Sequence, residues 1–146
     1  MLMSALDSFH KFLRRNGRAL EEIGSADVAV TRQHALDALN LIEGRPVIVL
    51  GVQRVVYDDD NSPAYDPYGI HSLNDDEFET LEQLSKRSKD AAKHFILEMC
   101  PLDSDAIRYV LNVCDFSRFN ELGEIKKRAD QELADWVTAR RVSRQE

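Results

Sequence analysis

The stretch "RPVIVLGVQRVVYDDDNSP", residues 45–63, decides how this sequence folds. From Val47 to Tyr57 it is dense in β-branched residues, bounded by Pro46 on one side and an Asp-Asn-Ser-Pro cluster on the other. That is the pattern of a strand running into a turn. Its first half, Val47 to Leu50, is apolar at every position, as in a central strand covered on both faces. Its second half alternates, with Gln53, Val55 and Tyr57 on one face and Val52, Arg54 and Val56 on the other. Gly51 stands at the changeover, where a β-bulge is expected. "DDDNS" is then a turn, and "PAYDPYGI" a short, Pro-interrupted return suited to a sheet edge.

Upstream, Leu6, Phe9, Leu13, Leu20 and Ile23 recur at helical spacing, which predicts an N-terminal helix over residues 1–22 with a weak point at Asn16-Gly17. Gly24 stops it, and "DVAV" reads as a short strand. Thr31 caps the next helix, in which Ala35, Leu36, Leu39 and Ile42 share a face before Gly44. Downstream, Asn74 and Glu77 resemble a capping box, with Asp75, Asp76 and Glu77 complementing the positive end of a helix dipole. Phe78, Leu81, Ser85, Ser88, Ala92, Phe95 and Met99 continue one face of that helix until Pro101. The segment 105–115 fits either helix or strand by periodicity, and the alternation of Ile107, Tyr109, Leu111 and Val113 favours a strand. A last helix from about Phe119 to Val142 carries Leu122, Ile125, Ala129, Leu133 and Trp136, before a frayed tail "ARRVSRQE".

The order of elements predicts an α+β fold. A small, mixed or largely antiparallel sheet of about four strands packs with about four helices in one domain, 1–146. The composition, 43% hydrophobic and 31% charged, is that of a globular protein. The longest apolar run, "VIVLGV", is too short to span a bilayer, and "MLMSALDSFHKFLRR" lacks the order of regions of a secretory signal, so a cytosolic location is expected.

Charge is unevenly spread. Between Val55 and Ser85 lie Asp58, Asp59, Asp60, Asp66, Asp75, Asp76, Glu77, Glu79 and Glu82, with no Lys or Arg. That segment carries −9 of a net −7, leaving +2 elsewhere. A single-sign acidic block argues against nucleic acid as a ligand and suits a basic partner.

The acidic turn does not carry the marks of a reaction centre. Asp58, Asp59 and Asp60 are consecutive at a turn, where all three stay hydrated and ionised, unlike carboxylate pairs tuned for acid–base work. Counted from Asp58, a calcium loop would need Gly at its sixth position and Glu at its twelfth; Pro63 and Gly69 stand there. Cys100 and Cys114 lack metal-ligand spacing, and His10, His34, His71 and His94 are scattered. No nucleophile elbow, phosphate loop or dinucleotide fingerprint occurs. The expectation is therefore no catalytic residue, no metal and no cofactor. Ser85 and Ser88 read as small residues for close packing.

The run "EEIGSADVAVTRQHALDALNLIEGRPVIVLGVQRVVY", the later "PAYD" and "SKRSKDAAKHFI" together resemble the immunity protein 40 family of bacterial polymorphic toxin systems. The matching residues are Glu22, Ile23 and Gly24; Thr31 and Arg32; Ala35, Leu36, Ala38 and Leu39; Gly51; Tyr65 and Asp66; and Arg87 and Ser88. Where the family pattern continues Tyr-Asp with Asn-Trp, this chain has Pro67 and Tyr68. A Gly-Gly-Asp is reduced to Gly51, Val52 and Gln53. The resemblance spans roughly residues 20–100.

The resemblance implies a non-enzymatic inhibitor that binds and occludes a cognate toxin domain. Combined with the acidic block, it directs attention to Asp58, Asp59, Asp60, Asp66, Asp75, Asp76 and Glu79 as partner-binding carboxylates, with Tyr57, Tyr65 and Tyr68 as aromatic anchors. A basic toxin, such as a nuclease, would complement them. Two other readings compete: a small hydrolase or ligand-binding protein with a pocket near Asp66 and His71, and an oligomerising domain using Trp136 and the last helix.

Overall fold

A computed structural model describes residues 4–74, 79–99 and 104–145. The chain divides into two compact units, Met1–Asp115 and Phe116–Glu146. Among the described residues there are four α-helices and five strands, arranged in two antiparallel sheets of two and three strands. This is the expected α+β class.

The first unit begins with α1 (Ala5–Asn16), capped by the Ser4 hydroxyl, which accepts from the Asp7 amide at 3.1 Å. The helix is shorter than its sequence periodicity suggests. It stops at Gly17, where a Cβ would run into Val28 Cγ1 and lie 2.7 Å from the Leu13 carbonyl oxygen, so only glycine lets the chain pass. Leu20 and Ile23 therefore leave the stripe. Residues Arg18–Ala19 form β1, which pairs with β2 (Val28–Ala29) across a short 3-10 turn ending at the left-handed Gly24. Thr31 caps α2 (Arg32–Leu41) through the His34 amide, as expected.

The central strand of the larger sheet is β3 (Val47–Tyr57), flanked by the antiparallel β4 (Pro63–Ser72) and β5 (Ile107–Asp115). The ambiguous segment is thus a strand, paired along nearly its whole length with β3. The expected bulge is present: the register with β5 shifts between Val49 and Gly51. Its effect is to change which face an apolar residue meets, so Val47, Val49 and Val52 all join the main core although they do not share parity. That core packs α1, α2 and α3 (Leu81–Met99) against one sheet face, around Phe9, Leu39, Ile96 and Tyr109, all at most 1% exposed. Val55, Tyr57 and Val110 point to the other face and form a second cluster with Leu20 of the turn and Ala29 of β2.

Helix α3 starts later than the sequence reading has it. Glu79 is in a bend, and Thr80 caps the helix in a reciprocal box: its hydroxyl accepts from the Gln83 amide at 3.1 Å, and the Gln83 side chain accepts from the Thr80 amide at 3.0 Å. Of the expected Asn74–Glu77 box, Asp75, Asp76, Glu77 and the following Phe78 lie outside the described residues, as do Cys100 and Pro101.

Ser85 and Ser88 do more than permit close packing. Residues 47–49 pair with β5 on one side only, because β4 joins β3 from Gly51 onward. Helix α3 supplies the missing partners. The Ser88 hydroxyl accepts from the Val49 amide at 3.0 Å, the Ser85 hydroxyl donates to the Val47 carbonyl at 2.6 Å, and Lys89 Nζ donates to the Arg45 carbonyl at 2.7 Å. The two serine bonds are buried, so each removes the cost of an unsatisfied backbone group, while the Lys89 bond is part-buried.

The second unit is α4 (Phe116–Gln145), which runs through the expected tail. Ile125, Leu133, Trp136 and Val142 are exposed on it, and the Arg140 guanidinium lies 4.7 Å from the Trp136 ring centre.

Candidate partner-binding surface

The β3–β4 hairpin gathers most of the sequence-nominated residues and gives them different roles. At its tip Asp58 builds the turn: its Oδ1 accepts from the Asp60 and Ser62 amides at 2.9 Å each, and Asn61 takes the left-handed conformation with φ 60°. Asp59 and Asp60 are exposed, and among the described residues neither carboxylate has a partner. Tyr57 is not an exposed anchor. It is 5% exposed in the second cluster, with the Arg18 guanidinium 4.6 Å above its ring, and that arginine also donates to the Asn61 carbonyl at 2.8 Å.

Midway along the hairpin a second irregularity occurs. Gln53 pairs with Ile70 but Val55 pairs with Tyr65, so Asp66, Pro67, Tyr68 and Gly69 bulge out opposite Arg54 alone. Asp66 holds this bulge. Its Oδ2 accepts from Arg54 Nε at 2.8 Å, its Oδ1 accepts from the Tyr68 amide at 3.0 Å, and its carbonyl accepts from Gln53 Nε2 at 2.9 Å. The Tyr68 amide and then the Arg54 guanidinium hold the Asp66 carboxyl below the usual carboxylate range. Gly69 is required beneath, since a Cβ there would lie 2.6 Å from Arg54 Cβ.

The bulge displays Tyr68, 88% exposed, while Tyr65 turns its hydroxyl to the chain before β2. There it donates to Asp27 Oδ2 at 2.7 Å and shares a hydrogen bond with Ser25 Oγ at 2.8 Å. Ile70, 52% exposed, follows on the same strand. Glu79 is engaged elsewhere: Arg87 Nε donates to both of its carboxylate oxygens, at 2.8 and 2.9 Å, and the same guanidinium donates to the Asn74 carbonyl. Asp75 and Asp76 lie outside the described residues.

Asp66 and His71 do not form a reactive pair. Asp66 is committed to the bulge, and the His71 ring stacks on Phe95 at 5.7 Å, where burial lowers its pKa. An open cavity of about 420 Å³ on the sheet face away from α1–α3 is lined by His71 but not by Asp66. Among the described residues no group of three His, Cys, Asp or Glu is placed to hold a metal ion, and no helix is long and apolar enough to cross a membrane.

Sequence reasoning missed the backbone work of Ser88 and the placing of Asp27 beside Tyr65. Both depend on which strand edge is unpaired and which turn folds over it, and no local spacing records that.

The geometry defines a class first: an α+β domain whose singular residues brace bulges, turns and an open strand edge. A family model described as Immunity protein 40 matches residues 19–113, and the chain belongs to that family. Membership implies an immunity protein of toxin systems. No curated protein and no solved structure matches the chain. The residues that carry the resemblance have physical roles. Gly24 is left-handed, Thr31 caps α2, and a Cβ on Gly51 would lie 2.7 Å from the His71 carbonyl oxygen. Asp66 holds the bulge, Arg87 fastens Glu79, and Ser88 receives the Val49 amide.

Proposed function

We propose that this protein binds a cognate toxin domain through the β3–β4 hairpin and neutralises it by covering its working surface. The observation that carries this reading is Tyr68, almost fully exposed on a bulge that Asp66, Arg54 and Gly69 make rigid. An aromatic side chain held out on a braced backbone loses little freedom on binding, which is how a few residues come to dominate an interface. Asp59 and Asp60 at the tip of the same hairpin, together with the net charge of −7, favour a basic partner by steering its approach. A nuclease toxin, whose groove must attract phosphate, is of this kind. Occlusion needs no catalytic group, metal or cofactor in the inhibitor, and the protein acts in the cytosol where such a toxin would act.

The structure-forming roles of Asp58, Asp66 and Glu79 narrow the acidic surface to Asp59 and Asp60 among the described carboxylates nominated for it. The test is co-expression of this protein with the toxin encoded beside it, scored by growth. Rescue by the wild type and loss of rescue with Tyr68→Ala, at equal expression, is the expected result. Persistent growth arrest with the folded wild-type protein present would overturn the proposal.

A further inference from the structure

The open cavity on the sheet face away from α1–α3, about 420 Å³, has an uneven chemistry. Its walls include Ile70 and Val110, and at Gly51 its lining is bare backbone, because the nearby His71 carbonyl leaves no room for a side chain. One edge is polar. Among the described residues, Asp27 is the only acidic one in the lining, and neither Lys nor Arg lines it. The Tyr65 hydroxyl fixes Asp27 through Oδ2, leaving Oδ1 with no partner among the described residues. The side chains of Ser72 and Asn112, also in the lining, make no hydrogen bond to described residues.

A fixed carboxylate with open acceptor capacity beside an apolar wall is what a long basic side chain requires: the wall covers its aliphatic stem while the carboxylate meets its head. A guanidinium suits the site better than an ammonium, since its planar fork can donate to Asp27 and to a neighbouring amide or hydroxyl oxygen together. Resting on the toxin-binding reading above, we propose that this cavity receives an arginine side chain of the toxin domain, paired with Asp27. Tyr65 is then a positioning residue, setting the orientation of the carboxylate rather than acting as an anchor by itself.

Two measurements test this. In the first, amide chemical shifts of the full chain are followed with Nα-acetyl-arginine-N-methylamide and with its neutral citrulline counterpart. Saturable shifts at Gly51 and Asn112 are expected with the arginine probe, at least about tenfold weaker with citrulline or in Asp27→Asn, in line with loss of a charge-assisted hydrogen bond. Absence of shifts there, or equal response to the neutral probe, would overturn the assignment, the latter indicating a pocket for uncharged ligands.

In the second, toxin affinity is measured for Asp27→Asn, which keeps an acceptor for Tyr65, and for Ser72→Trp, which fills the cavity from an exposed position. Both should bind about tenfold or more weakly while melting like the wild type. If both bind as the wild type does, the cavity is not used, although toxin binding stands. If the wild type binds no toxin, the toxin-binding reading fails, and the arginine probe still decides the cavity.

Discussion

Ser88 shows how one hydroxyl can hold a fold together. It is fully buried, accepts from Val49 and donates to the Ser85 carbonyl, closing the strand edge that β4 leaves open. Ser88→Ala should cost about 1–3 kcal/mol, the penalty of an orphaned buried amide, whereas removal of an exposed hydroxyl costs far less. Urea denaturation measures this; a loss below about 0.5 kcal/mol, the usual range of surface substitutions, would mean another group satisfies Val49. Titratable residues add a pH signature. Burial lowers the pKa of His71 and of His10 from 6.5, so their folded forms favour the neutral ring. Their contribution is complete above pH 6.5 and declines as pH falls from there through the folded values. Asp66 acts lower: its contribution is present above 3.8 and is lost as pH falls through its depressed folded value. Urea midpoints should therefore fall in two stages on acidification, with His71→Phe removing part of the first. A midpoint that is flat until the carboxylates titrate would contradict the assignment of the histidines.

At the scale of the element, Thr80 rather than Asn74 begins α3. Thr80→Ala should destabilise the protein by about 1 kcal/mol, and Asn74→Ala by much less, because Arg87 holds the Asn74 backbone carbonyl, which alanine retains. Equal losses in thermal melts would place the cap elsewhere. The same element shows what was legible in the sequence. Strand β3, its bulge at Gly51, the turn, the Thr31 cap and the α+β class all follow from β-branched runs, glycine and capping chemistry that act within a few residues. Asn74 with Glu77 and Thr80 with Gln83 satisfy the same local rule in sequence, and the box that precedes α3 is the second. Leu20 and Ile23 continue the period of α1 in sequence, but the helix stops before Gly17, which packs against Val28 and Val30 of a later segment. In the hairpin, composition counts carboxylates but does not separate those that hold backbone amides or arginines from those that face solvent. Asp58 and Asp59 are adjacent in sequence and opposite in use.

For the whole molecule, the segment with −9 charge is less of an electrostatic patch than its count implies, since Arg54 and Arg87 reach into it from neighbouring elements. The surface proposed for the partner is a braced hairpin: the tip with Asp59 and Asp60, an exposed tyrosine on a bulge, and a cavity beside Asp27. Long-range charge and local contact make separable contributions to binding. Asp59→Lys with Asp60→Lys should slow toxin association and flatten its salt dependence with little change in dissociation; reversal at Asp58 would confuse the result by breaking the turn. An association rate unchanged across salt would remove the tip from the interface. The most direct measurement is the dissociation constant of the toxin complex for wild type and Tyr68→Ala, read alongside melting curves that show both are folded. The hairpin account predicts roughly thirtyfold or greater weakening, as for a central aromatic anchor, and equal affinity of the two proteins would contradict it.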